Sequence, residues 1–409
     1  MALLASSPSA AGGGARSGSS PRTTVEAYFA KRSYLPDTRA SLEVSATARR
    51  LTIQVFRAGP ETRRTRGDRT VHGLPVDDPR VVHWSGRYSL ERFRSIPLAL
   101  RYWPSGLYFA RVMTNSGAVA FAPFVLRARQ ADRTRVAVVM PTNSWQAYNF
   151  RDDDGDGMAD TWYASDSVTS VRLDRPFANH GVPYHFRTYD LGFIRWLAHT
   201  HKQPDFVTDD DLERFTGGAR LAKTYDLIVF SGHEEYVTPH EYALITEFRD
   251  AGGNLAFLSA DNFFYRVIRR GDRIYRESRW RDLGHPEARL IGVQYVGWNQ
   301  GIWPNRPYIV NGAGTAPWLF HGTGLHNGSR FGKYGVEIDT RTPDSPLGTE
   351  VLATIPDVFG PGKTAEMTYY ALPNGAKVFA AGTINFGGTA QLLPVRQLLE
   401  NLWARLIQP

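Results

Sequence analysis

Four consecutive apolar residues, Leu227–Phe230, lead directly into Ser231-Gly232-His233-Glu234-Glu235-Tyr236 and then into Thr238-Pro239-His240-Glu241. So short a run, with branched side chains at its centre, has the character of a strand buried on both faces. Thr238 supplies an N-cap, Pro239 suits the first helical position and Glu241 completes a capping box, so a helix is predicted to begin at Pro239. The residues between must form a strand-to-helix loop. In open α/β sheets such loops gather at the carboxyl ends of the strands and line the ligand crevice. His233, Glu234 and Glu235 are therefore the first place to look for chemistry, against the plainer reading of a solvated loop.

Two hydrophobic patterns divide the chain. Up to Arg127 it reads as short β segments, Ala40–Ala46, Arg50–Arg57, Leu98–Leu100, Gly106–Met113 and Ala118–Leu126, broken by Pro, Gly and Asp clusters. That spacing predicts an all-β immunoglobulin-like sandwich over residues 22–129. Beyond a linker at Ala128–Asp132, compact apolar runs at Arg135–Met140, Asp226–Phe230, Asn254–Ser259 and Lys377–Ala381 are interspersed with helical spacing at Leu191–His199, Pro239–Ala251 and Leu393–Leu406. The expectation for 130–409 is an α/β core, a mostly parallel sheet with helices on both faces. Arg273–Tyr370 lacks a clear period and is read as an irregular β-rich insertion, at about 273–372.

The absence of cysteine excludes disulfides, zinc–thiolate centres and a cysteine nucleophile. The net charge of +8 is spread over scattered arginines, which gives no nucleic-acid footprint. No apolar stretch approaches the roughly 20 residues of a membrane span. Residues 1–21, small and Gly/Ser-rich, read as a disordered tail or a signal-peptide remnant, which favours an exported over a cytoplasmic protein. Ser231 lacks the G-x-S-x-G setting of a serine nucleophile.

A second motif is RDDDGDGMADTWY, residues 151–163. Asp152, Asp154 and Asp156 stand at the first, third and fifth positions of a calcium loop, with Gly157 at the sixth and Asp160 at the ninth. Alternate carboxylates on a glycine-turned loop can converge on one hard cation. Tyr163 replaces the closing Glu, so bound Ca2+ and a solvated acidic turn both remain open.

The segments SWQAYN (144–149), SGHEEY (231–236) and EFRDAGGNLAFLSADNFFYRV (247–267) resemble the large-subunit family of N,N-dimethylformamidase, and the likeness covers most of residues 22–409. The resemblance implies a class I glutamine-amidotransferase-like core and hydrolysis of small amides by a mononuclear iron. The family's two tyrosine ligands would fall on Tyr148 and Tyr189, its glutamate on Glu235, and its nearby histidine on His233. Phenolate and carboxylate are hard oxygen donors, which favour Fe3+ over Zn2+. His233 and Glu366, the latter in TAEMTYY, are the candidates to activate water or orient substrate. The same resemblance implies a small amide as substrate, and a homo-oligomer or a small partner subunit. The alternative is a non-catalytic exported binding or scaffold protein, in which the Trp-rich loop Gly297–Pro304 holds a ligand such as a carbohydrate.

Overall fold

The computed structural model describes residues 25–131 and 134–408, so the expected tail at 1–21 lies outside it. The first hundred described residues form two sheets. Val25–Phe29, Arg39–Ala46 and Arg94–Ala99 make a three-stranded antiparallel sheet. Ser33–Tyr34, Val119–Leu126, Gly106–Thr114, Arg50–Arg57 and Leu74–Pro75 lie side by side in a six-stranded one, in which Arg80–His83 also pairs with Arg50–Arg57. Period-two alternation explains the pairing of the sheets: Leu42 and Val44 from one, and Leu51, Ile53 and Val55 from the other, point into a common core with Tyr108 and Phe124. Phe56, Phe109 and Phe121 pack instead in a larger cluster with Trp145, Phe186 and Trp196.

The remainder corrects the expectation of a mostly parallel α/β core with helices on both faces. With 33% strand and 18% helix the protein is mostly β, built from mixed sheets and few helices. In its nine-stranded sheet Asp205–Thr208, Val136–Met140, Leu227–Phe230, Asn254–Phe257 and Lys377–Ala380 run parallel. From there Ala365–Ala371, Glu350–Ile355, Arg306–Val310 and Arg330–Tyr334 continue the same sheet antiparallel. These four come from the stretch expected to be an irregular insertion. Their apolar positions are sparse, as in Arg330–Tyr334 where only Phe331 and Tyr334 are buried, and bulges interrupt their registers. A half-buried strand broken in this way leaves no period for a sequence window to detect. Among the described residues no helix is long and apolar enough to cross a membrane.

Register places the chemistry. Val139 lies opposite Phe230 and Phe230 opposite Phe257, so three parallel strands end level with one another. The Phe230 and Phe257 rings stack at 4.8 Å, and burying each stabilises this edge by about 1.5–3 kcal/mol. The segments leaving these strands carry Tyr148, the 231–235 loop and Asp261. The helix Pro239–Asp250 begins where the capping box predicts, with Thr238 accepting from the Glu241 N–H. A two-stranded ribbon, Gln294–Trp298 with Glu337–Thr340, brings Glu337 to the same place.

Candidate functional site

The 231–235 loop is extended, and alternate side chains diverge. His233 and Glu235 face the same side, with Nε2 and Oε2 3.3 Å apart. Glu234 turns the other way, to the buried Asp209, and burial followed by the Asp209 charge pushes its carboxyl well above the ordinary range. A side chain at Gly232 would force Asp190 to move, since a Cβ there would lie 2.1 Å from Asp190 Oδ1. The loop is tied down by its backbone: the Glu235 N–H donates to Ser144 Oγ at 2.9 Å, and the Phe263 N–H donates to the Glu234 carbonyl at 2.7 Å.

Glu235 is 2% exposed and is oriented by phenols. Tyr148 Oη donates to Glu235 Oε2 at 2.7 Å, and Tyr163 Oη lies 3.2 and 3.3 Å from its two oxygens. Tyr163 also shares a short hydroxyl contact with Tyr236 and stacks on Tyr148 at 4.3 Å. His233 sits at the centre. Its Nε2 is 3.3 Å from Glu235 Oε2, 3.6 Å from Glu337 Oε2 and 3.7 Å from Asp261 Oδ2. The Tyr148 ring lies 5.2 Å from the imidazole, and the Tyr189 ring stands nearly perpendicular to it at 6.5 Å.

The electrostatics are unbalanced. Burial, and then the charges of Glu235 and Asp339, push Asp261 well above the ordinary carboxyl range. Glu337 is raised by burial against the opposing pull of His233, with Asp261 and Glu235 adding to the rise. Asp339, which accepts from the Asp261 N–H at 2.9 Å, is pushed by burial to about 7. Burial also raises the Tyr148 and Tyr189 phenols, with Glu235 the next cause for the first and Glu337 for the second.

His233 Nε2, Asp261 Oδ1 and Glu337 Oε2 are buried without hydrogen-bond partners. These three residues each offer a ligand atom within 4.8 Å of the others. Buried polar atoms are rarely left unpaired: a hard cation beside this cluster would offset its like charges, and a bound water or substrate would satisfy the unpaired atoms. With the Tyr148 phenol and the Glu235 carboxylate 2.7 Å apart next to it, the residues present fit a metal ion.

Of the residues named from sequence, Tyr148, Tyr189, His233 and Glu235 come together. Glu366 does not join them: its carboxylate accepts from the Arg341 backbone N–H at 2.8 Å and pairs with Arg341 Nε at 3.2 Å. The further carboxyls facing His233 are Asp261 and Glu337, which sequence reasoning missed. Asp261 follows a strand end just as the 231–235 loop does, and that signal was available. Glu337 lies in the aperiodic stretch and carried none. In the acidic loop, the Asp152, Asp154 and Asp156 carboxyls converge within 4.8 Å. Asp152 accepts from the Gly155 and Gly157 N–H groups at 2.6 and 3.0 Å, and Asp160 turns back to accept from the Asp153 N–H at 2.6 Å.

No curated protein sequence matches the chain. Among solved structures, a superoxide reductase (neelaredoxin) from Ignicoccus hospitalis is similar over 26% of this chain and 80% of its own, at 15% identity and a TM-score of 0.17. A cycloisomaltooligosaccharide glucanotransferase from Paenibacillus sp. is similar over 57% of this chain and 44% of its own, at 7% identity and a TM-score of 0.20. Likeness that low carries no argument about fold or activity. The family model described as N,N-dimethylformamidase beta subunit-like, C-terminal, matches residues 76–395, well over half of the sequence, and the chain belongs to that family.

Proposed function

We propose that this chain hydrolyses the C–N bond of small amides, with an iron ion held by Tyr148, Tyr189 and Glu235 and with His233 and Glu337 handling the proton. Family membership supports the amidase class. The observation that carries the site is the buried His233 imidazole, whose Nε2 lacks a hydrogen-bond partner amid Glu235, Glu337 and Asp261. Two phenols and a carboxylate are a hard donor set suited to a ferric ion. That ion, when bound, would supply Lewis acidity toward an amide carbonyl. Tyr163 and Ser144 hold the Glu235 side chain and backbone in one orientation, so little freedom remains to be lost on binding. His233 Nε2 and Glu337 Oε2, 3.6 Å apart, can take a proton from the attacking water and return it to the leaving amine as the C–N bond breaks. In this reading Glu337 takes the part first considered for Glu366.

The test is metal analysis of protein purified without added metal, with visible spectra of wild type and Tyr148→Phe and an assay on N-methylacetamide. Near-stoichiometric iron, a tyrosinate band that weakens in the variant, and amine release are expected. Protein that takes up no iron after reconstitution and releases no amine would overturn the reading.

A further inference from the structure

Tyr148 has little local structure to hold it. It caps the C-terminus of the helix Thr142–Ala147, whose six residues are too few for a helix to persist on its own. Carbonyls at such a terminus lack partners within the helix and must find donors elsewhere. Arg175 supplies them. It is 1% exposed, and its Nη2 donates to the carbonyls of Gln146 and Asn149, on either side of Tyr148, at 3.1 and 3.2 Å.

The same guanidinium reaches further. Nε donates to Gln146 Oε1 at 3.2 Å, Nη2 also to the Asp160 carbonyl at 3.0 Å, and Nη1 to Asp153 Oδ2 at 3.0 Å. Asp160 lies shortly before Tyr163, the phenol that stacks on Tyr148 and reaches Glu235 at 3.2 Å. One cation therefore grips both segments whose phenols meet Glu235. The grip is returned: Gln146 Nε2 donates to the Arg175 carbonyl at 3.0 Å, and Asn149 Nδ2 to the Pro176 carbonyl at 2.8 Å. Burying a charge is costly, but an apolar side chain here would leave three carbonyls short of a donor. A planar fork of five N–H groups can span acceptors on two segments, which the point charge of a lysine cannot.

We propose that Arg175 is a positioning residue of this site: by holding the carbonyls of Gln146, Asn149 and Asp160, it sets where the Tyr148 and Tyr163 phenols stand against Glu235. That these phenols serve an iron-dependent hydrolase rests on the reading above, whereas the clamp stands on its hydrogen bonds.

The experiment compares the full chain with Arg175→Lys and, as a control for lost stability alone, with Arg32→Lys, whose guanidinium pairs instead with Asp174 and Asp210. Crystal structures, iron content, the visible tyrosinate band and the rate on N-methylacetamide are recorded for each. In Arg175→Lys the Tyr148 Oη to Glu235 Oε2 separation, 2.7 Å in the native chain, should open beyond about 3.5 Å. The band should shift with iron retained, and kcat should fall about 10–100-fold with KM little changed. Arg32→Lys should lose stability and alter neither the separation nor the band. An unchanged separation and band in Arg175→Lys, or equal changes in Arg32→Lys, overturns the proposal. If Arg175→Lys does not fold, Gln146→Leu, which removes the acceptor of Nε, should open the same separation to a smaller extent, and no opening there overturns the proposal too. Wild type that takes up no iron counts against the hydrolase reading alone, since the separation still decides the role of Arg175.

Discussion

The side chains around His233 and the Asp152–Asp160 loop are both acidic, yet they differ in what their oxygens do. In the loop, the Asp152, Asp154 and Asp156 carboxylates sit at the surface and accept from neighbouring backbone N–H groups. In the cluster, Glu235 and Asp261 are buried and Glu337 half-buried, and one oxygen of Asp261 and one of Glu337 have no hydrogen-bond partner. Acidity alone does not make a site. A solvated turn already satisfies its charges, whereas a buried cluster keeps an unmet demand that only a cation, a proton or a substrate can answer.

The sharpest way to break this contrast is Glu235→Gln. Iron content should fall toward background and N-methylacetamide hydrolysis should fall by at least about 100-fold, since even outer-shell partners of a metal can cost that much. Retention of both would remove Glu235 from the ligand set. Next comes the pair Glu337→Gln and Glu366→Gln. Loss of a general acid or base should slow hydrolysis about 10²–10⁴-fold in the first, with iron retained, while the second, whose carboxyl is engaged by Arg341, should stay near wild type. A reversed order would restore Glu366 to the mechanism.

Glu61 shows what burial does without tyrosines or a histidine. Its Oε2 accepts from the Gly59 N–H at 2.6 Å, its Oε1 has no partner, and burial pushes its carboxyl from the ordinary 4.5 to about 7. Because the folded chain binds this proton more tightly than the unfolded one, stability contributed by the protonated group is present below about pH 4.5 and lost as pH rises toward 7. Glu61→Gln should therefore leave stability near pH 4 little changed and raise it by about 3 kcal/mol at pH 8, read by urea unfolding at both pH values. An equal effect at both would show that the carboxyl is not held protonated. The smallest effect belongs to the acidic loop. Millimolar calcium should raise Tm by about 2 °C in wild type and not in Asp154→Asn, and no shift in either would leave the loop a solvated turn.

Legibility followed the range of the interactions. The 231–235 loop was visible because both its neighbours are local signals, an apolar run before it and a capping box after it. Tyr148 and Tyr189 were placed through a family likeness, since a lone tyrosine among 19 carries no pattern. Glu337 was invisible because it depends on a ribbon whose strands begin 43 positions apart, at Gln294 and Glu337, with a bulge in the register. Asp261 followed a readable strand, but its left-handed backbone at φ 54°, which helps aim the side chain, leaves no sequence trace. The sheet was misread for a similar reason. Four of the five parallel strands hold compact apolar runs, whereas Asp205–Thr208 and the antiparallel strands are interrupted by polar residues and find their partners only across long separations.

Composition excluded thiol chemistry, and local pattern placed a strand, a cap and the loop between them, because such features depend on neighbours a few residues apart. Folding decided that the sheet is mixed, that Glu337 rather than Glu366 meets His233, and that Tyr148 and Tyr189 from separate segments both border that imidazole. Those outcomes depend on contacts between distant residues, whose closing entropy and pairing energy are written in no single window of the chain.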